Sequence, residues 1–169
     1  MELLSPAGSP EAVIAAVQNG ADAVYLGLGN FNARRGAKNF TDEEFEKAVR
    51  YCRVRGCKVY VTLNTLVSDR EIPEVLESAR LASRVGVDGI IIQDLGLIAV
   101  LRQALPDLPL HASTQMSVHD LAGAEAAAEL GCTRVVLARE LSLEQIRYIT
   151  QHCSRQAQLR RRFHAGKIM

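Results

Sequence analysis

No uninterrupted apolar stretch in this 169-residue chain approaches the roughly 18 residues that a membrane-crossing helix needs. The longest apolar region, Val85 to Leu101, is broken by Asp88, Gln93 and Asp94. A secretory leader is not legible, because Met1-Glu2-Leu3-Leu4-Ser5-Pro6 has an acid second and a breaker sixth. Net charge is nearly absent, with 20 Lys+Arg against 19 Asp+Glu, so no global field draws the protein to nucleic acid or lipid. A cytoplasmic location is the expectation. The four cysteines, Cys52, Cys57, Cys132 and Cys153, contain no pair with a two-residue gap, so neither a zinc ribbon nor a redox dithiol is visible. Reduced, mostly buried thiols are expected instead. His111, His119, His152 and His164 lack the spacing that sets two on one helical face toward a metal. Ser113 has no legible histidine partner for a triad.

What is there is an ordinary globular composition, 48% apolar and 23% charged, with room for one compact core. Neutrality hides an asymmetry. Arg155, Arg160, Arg161, Arg162 and Lys167 crowd the last positions without an acid, which leaves residues 1–154 acidic by four charges. Four segments share a pattern of helix, glycine and β-rich apolar run: Gly20 to Gly27, Gly56 to Asn64, Gly86 to Asp94 and Gly131 to Glu140. Each glycine can end a helix in the left-handed conformation. Runs such as Ile90-Ile91-Ile92 suit a strand covered on both faces. Helix starts are signalled by Ser9-Pro10, by the Thr41-Asp42-Glu43-Glu44 capping box and by Ser142 with Gln145.

These signals predict strands near 2–5, 22–28, 57–64, 88–93, 109–114 and 134–138. Helices alternate with them near 9–19, 41–55, 71–85, 95–105, 117–130 and 142–152. Strict alternation with short connections implies parallel strands and right-handed crossovers. An open doubly wound sheet often carries a glycine-rich phosphate loop after its first strand, and Ser5-Pro6-Ala7-Gly8-Ser9 lacks that spacing. The expected fold class is α/β, an incomplete TIM-type (β/α) barrel with about six parallel βα units, since eight units usually need about 250 residues. Residues 1–153 form this partial barrel domain. Residues 154–169 read as a basic tail, disordered or aberrant, with neither a β-rich run nor an apolar helical stripe.

Functional groups of parallel α/β folds gather at the carboxyl ends of strands, where helix N-termini also aim positive partial charge. The substrate-binding candidates are therefore Asn64, Gln93, Asp94, Ser113, Gln115, Arg139 and Glu140. Amides and hydroxyls dominate this set, which suits holding a polar or anionic ligand better than covalent catalysis. Arg139 either clamps a carboxylate or phosphate or pairs with Glu140 or a strand-end acid. Asp94 and Glu140 are either an acid/base pair or helix-start carboxylates. Asn64, Gln93 and Gln115 must find hydrogen bonds, from ligand or from strand-end backbone. Arg34, Arg35 and Lys38 could meet an anion or RNA, or belong to a solvated loop. Cys57 and Cys132, just after their glycines, read as packing residues at the opposite end of the strands. No catalytic residue and no metal site is legible.

Six motifs in order carry a family resemblance. They are Glu2-Leu3-Leu4-Ser5-Pro6-Ala7-Gly8, Gly20 to Gly27, Leu63-Asn64-Thr65-Leu66, Gly89 to Gly96, His111-Ala112-Ser113-Thr114-Gln115-Met116 and Arg139-Glu140-Leu141-Ser142. Together they resemble the amino-terminal portion of peptidase family U-32, the collagenase-like peptidases, over residues 1 to about 153. The resemblance implies a TIM-barrel-like domain. It implies either a peptidase or a protein of tRNA or ribosomal RNA hydroxylation or anaerobic ubiquinone synthesis. As an amino-terminal fragment the chain alone is expected to be inactive. The alternative is a non-catalytic binding module whose barrel mouth and basic tail hold RNA or a protein partner. Full-length relatives of the hydroxylating kind can carry an iron–sulfur cluster. The cysteine-rich signature for it is missing around Gln151-His152-Cys153-Ser154-Arg155, so no cofactor is expected in this fragment. Expected partners are RNA or peptide substrate, and the missing carboxyl-terminal portion or a second copy.

Overall fold

Helices begin where side chains can close the first turn. In the computed structural model, which describes residues 2–33 and 40–153 and the backbone of 163–165, the Ser9 hydroxyl accepts from Ala12 N at 3.2 Å. Thr41 and Glu44 form a reciprocal capping box, and so do Ser142 and Gln145. Two compact units result, Met1–Ile90 and Ile91–Met169.

The first unit runs β1 (Leu4–Pro6), α1 (Pro10–Gln18), β2 (Ala23–Gly27), α2 (Asp42–Val54), β3 (Lys58–Leu63) and α3 (Ile72–Val85), and ends in the first half of β4 (Gly89–Ile92). β1, β2 and β3 pair in parallel and in chain order, with Leu4 opposite Ala23 and Ala23 opposite Lys58. Asp88, leading into β4, donates its N–H to the Val59 carbonyl and accepts from Val59 N through its carboxylate, both at 2.8 Å. On β3, Val59, Val61 and Leu63 occupy one face and Lys58, Tyr60 and Thr62 the other. Helix α2 buries Phe45, Ala48, Val49 and Cys52, the apolar stripe its spacing predicts, and packs on β3.

The second unit continues with the end of β4, then α4 (Leu95–Ala104), β5 (Leu110–Ala112), α5 (Leu121–Glu129), β6 (Cys132–Leu137), α6 (Leu143–His152) and β7 (Phe163–Ala165). Ser113 N donates to the Ile92 carbonyl at 2.7 Å, and β5, β6 and β7 pair in parallel in chain order. Arg102 of α4 donates through its guanidinium to the Pro106 and Leu108 carbonyls, which shapes the turn into β5.

Two expectations differ from the structure in detail. The helix expected from 117 begins at Leu121, because Asp120 accepts from Gly123 N at 2.7 Å and Thr114–Met116 coils into a 3-10 turn first. Sequence reading placed no strand after 153, yet Phe163–Ala165 pairs with Val135–Leu137. The strand is only three residues long, and its pairing depends on a partner far away in the chain, which no local pattern announces. The remainder of the basic segment 154–169 lies outside the described residues.

Candidate functional site

In the first unit the carboxyl ends of β2 and β3 are capped by the loop that follows β2. Leu28, Phe31 and Asn32 are buried there, Asn32 to 3% exposure, and Asn32 Nδ2 donates to the Gly29 carbonyl at 3.0 Å. Gly27 makes this fold possible, since a Cβ on it would stand 2.6 Å from the Asn32 amide. Thr62 donates its hydroxyl to the Leu26 carbonyl at 3.2 Å. Asn64 accepts from Ala33 N at 3.1 Å, so the amide takes backbone as a partner and anchors the loop. Thr65 Oγ1, beside it, is buried with no hydrogen-bond partner among the described residues. Arg34, Arg35 and Lys38 lie outside the described residues.

The second unit holds the other six candidates, at the carboxyl ends of β4, β5 and β6. Asp94 caps α4, its Oδ1 accepting from Leu97 N at 2.8 Å, the helix-start role. Gln93 is half-buried. Ser113, 3% exposed, caps the 3-10 turn by accepting from Gln115 N at 3.3 Å, and Gln115 itself is exposed. Ser117 in this loop takes a left-handed φ of 54°, which a non-glycine residue rarely adopts. Ala138 N donates to the Val118 carbonyl at 2.8 Å, tying the end of β6 to the loop after β5. Arg139 and Glu140 follow directly, both exposed, and neither makes an ion pair among the described residues. Glu140 does not cap α6, because Ser142 does.

Two polar groups at the opposite strand ends or inside the sheet escaped sequence reading. Glu2 accepts from Lys58 Nζ at 2.8 Å and from the Tyr60 hydroxyl at 3.2 Å. Leu4, Ala23 and Lys58 stand in register across β1, β2 and β3. Tyr60 is 2% exposed, so Tyr60→Phe, which leaves the Glu2 carboxylate short of a donor, is expected to cost about 1 kcal/mol in urea unfolding. On β5 and β6, His111 and Arg134 are buried in register with each other. The signal available was the polar alternation Lys58-x-Tyr60-x-Thr62, which marks a strand face that is not purely apolar.

Cys52 and Cys57 belong to the first unit and Cys132 and Cys153 to the second. No group of three His, Cys, Asp or Glu side chains suited to a metal gathers among the described residues.

The sequence profile of peptidase family U32 matches residues 8–160. The chain belongs to peptidase family U32. It is 39% identical over 151 residues to the 23S rRNA 5-hydroxycytidine C2501 synthase of Escherichia coli (strain K12), covering 89% of this chain and 22% of that protein. It is 37% identical to tRNA hydroxylation protein P1 of Bacillus subtilis (strain 168), over 86% of this chain and 35% of the relative. A collagenase of Porphyromonas gingivalis (strain ATCC BAA-308 / W83) is 34% identical over 88% of the chain, which spans 35% of its length. The U32 chain thus spans well under half of each of these relatives. The solved structure of a U32 peptidase superposes with a TM-score of 0.74 at 21% identity, covering 91% of this chain and 66% of the other. That likeness agrees with the α/β class and the six parallel βα units of TIM type read from the sequence. No helix among the described residues is long and apolar enough to cross a membrane.

Proposed function

We propose that this chain is the RNA-holding βα portion of a U32 protein of RNA hydroxylation, working in the cytoplasm where its RNA is found. The observation that carries this reading is Arg139, exposed and without an ion pair among the described residues, at the carboxyl end of the strand next to the one that presents Gln115. An exposed guanidinium and an exposed amide at the ends of neighbouring strands suit phosphate and base edges. Ser113, the candidate closest to a nucleophile, is engaged as a turn cap, which favours holding over acyl transfer. The rRNA and tRNA hydroxylation proteins among the relatives support the same reading. The partner that completes the activity is further polypeptide of the kind the longer relatives contain, or a second copy.

Fluorescence anisotropy with transfer RNA and with a ribosomal RNA fragment, at two salt concentrations, tests the proposal. Arg139→Glu is expected to weaken binding about tenfold and to flatten the salt dependence. Unchanged binding by that variant, with the affinity lost instead on Arg160→Gln, Arg161→Gln and Arg162→Gln, would move the RNA contact to the basic tail. Gelatin cleavage that survives repeated purification and chelators would favour the peptidase reading.

A further inference from the structure

Two thiols meet where α2 hands over to β3. Cys57 N donates to the Cys52 carbonyl at 3.0 Å and Gly56 N to the Arg53 carbonyl at 3.1 Å, the paired bonds of a Schellman helix end, with Gly56 at φ 70°. A Schellman end commonly brings into contact the side chain three places before the cap and the one two places after it. At the ends of α1 and α3 the equivalent bonds, each 3.1 Å, run from Ala21 to Ala16 and from Val87 to Ala82, and those pairs are apolar. Here the pair is Cys52 and Cys57, both buried and unbridged, with the Cys57 thiol donating to the Lys58 carbonyl at 3.7 Å. The helix end brings together cysteines five residues apart in the chain.

We propose that Cys52 and Cys57 are a redox couple that closes to an internal disulfide, with low-molecular-weight disulfides as the oxidant. Carboxylates surround the site: Asp22 accepts from Leu3 N at 2.7 Å and Asp88 from Val59 N at 2.8 Å, and Glu2 also acts on Cys57. They make a standing thiolate costly, opposed at Cys52 by Arg55, so the attack is slow near neutral pH and quickens in base. Dithiol and disulfide are both neutral, whereas a monovalent soft cation held by two thiolates leaves one negative charge, so oxidation suits the site better than metal binding. Cys57, 5% exposed where Cys52 is 0%, gives up its proton and attacks one sulfur of the oxidant, releasing a thiol. The Cys52 sulfur then attacks the Cys57 sulfur and releases the second. Two S–H bonds are lost and one S–S bond forms. Two electrons and two protons leave with the oxidant as its two thiols. The bond pins the last turn of α2 to the start of β3.

The test treats the folded chain with oxidised glutathione, blocks remaining thiols with iodoacetamide and digests with trypsin. Cleavage after Arg50, Arg53, Arg55 and Lys58 separates the two cysteines, so closure appears as Tyr51–Arg53 joined to Gly56–Lys58 and reversed by dithiothreitol. Cys132 and Cys153 are expected to remain alkylatable after unfolding. The rate should rise about tenfold for each pH unit below the thiol pKa. Cys57→Ala should abolish the joined peptides while leaving the circular dichroism of the fold intact. A lasting glutathione adduct without closure, no reaction, or joined peptides only in denaturant would each overturn the proposal.

Discussion

Raising the pH from 9 to 12 is expected to strip on the order of 5 kcal/mol from the folded state, enough to unfold a protein of ordinary stability. Burial pushes the Cys52 thiol up to about 12, with further upward pressure from the neighbouring Cys57. Burial likewise pushes Cys132 up to about 11, opposed by Arg102. Unfolded, both thiols ionise near 9. Between these values the unfolded chain sheds protons that the folded chain keeps. The stabilisation is therefore complete below about pH 9 and falls as the pH climbs toward the folded values. Both side chains are essentially inaccessible, at 0% and 1% exposure, so solvent screening does not blunt the effect. Urea unfolding at stepped pH should show the decline. The double variant Cys52→Ala, Cys132→Ala starts less stable and should show a flatter alkaline limb. An unchanged limb would assign the loss to other groups.

Gly27→Ala is expected to cost about 2–4 kcal/mol, by overpacking and by a lost buried hydrogen bond. The added methyl would meet the Asn32 amide at 2.6 Å. Asn32 cannot step aside cheaply, because it is buried and its Nδ2 holds the Gly29 carbonyl. Displacement would pull Phe31 from its buried site and strain the Ala33–Asn64 hydrogen bond. Thermal melting measures the cost, and a double-mutant cycle identifies its source. In an Asn32→Ala background the same change should be markedly milder. An equal penalty in both backgrounds would rule out the collision as its cause.

Local chemistry was the legible part of this protein. Ser9, Thr41 and Ser142 announce their helices because a cap is settled within four residues. The helix-ending glycines announce their turns for the same reason, and Gly20, Gly56, Gly86 and Gly131 all take positive φ. The helix read from 117 starts later, at Leu121, because Asp120 accepts from Gly123 N and the 3-10 turn Thr114–Met116 comes first. The candidate site was legible as a set of positions, since strand ends follow from the alternation. Its bonding was not. That Asn64 would hold Ala33, or that Arg139 would lack an ion pair among the described residues, depends on loops whose paths no periodicity encodes. Glu2 and Lys58 lie 56 residues apart in the chain and meet through the parallel pairing of β1, β2 and β3.

Within each unit, strands that touch in space also follow one another in the chain: Leu4 pairs with Ala23, Ala23 with Lys58, and Ala112 with Val135. Every crossover is thus closed over a few dozen residues, a span whose entropic toll grows only logarithmically. A nascent polypeptide of this kind need not await its far end before laying down sheet. Each strand leaving the ribosome finds its template already in place.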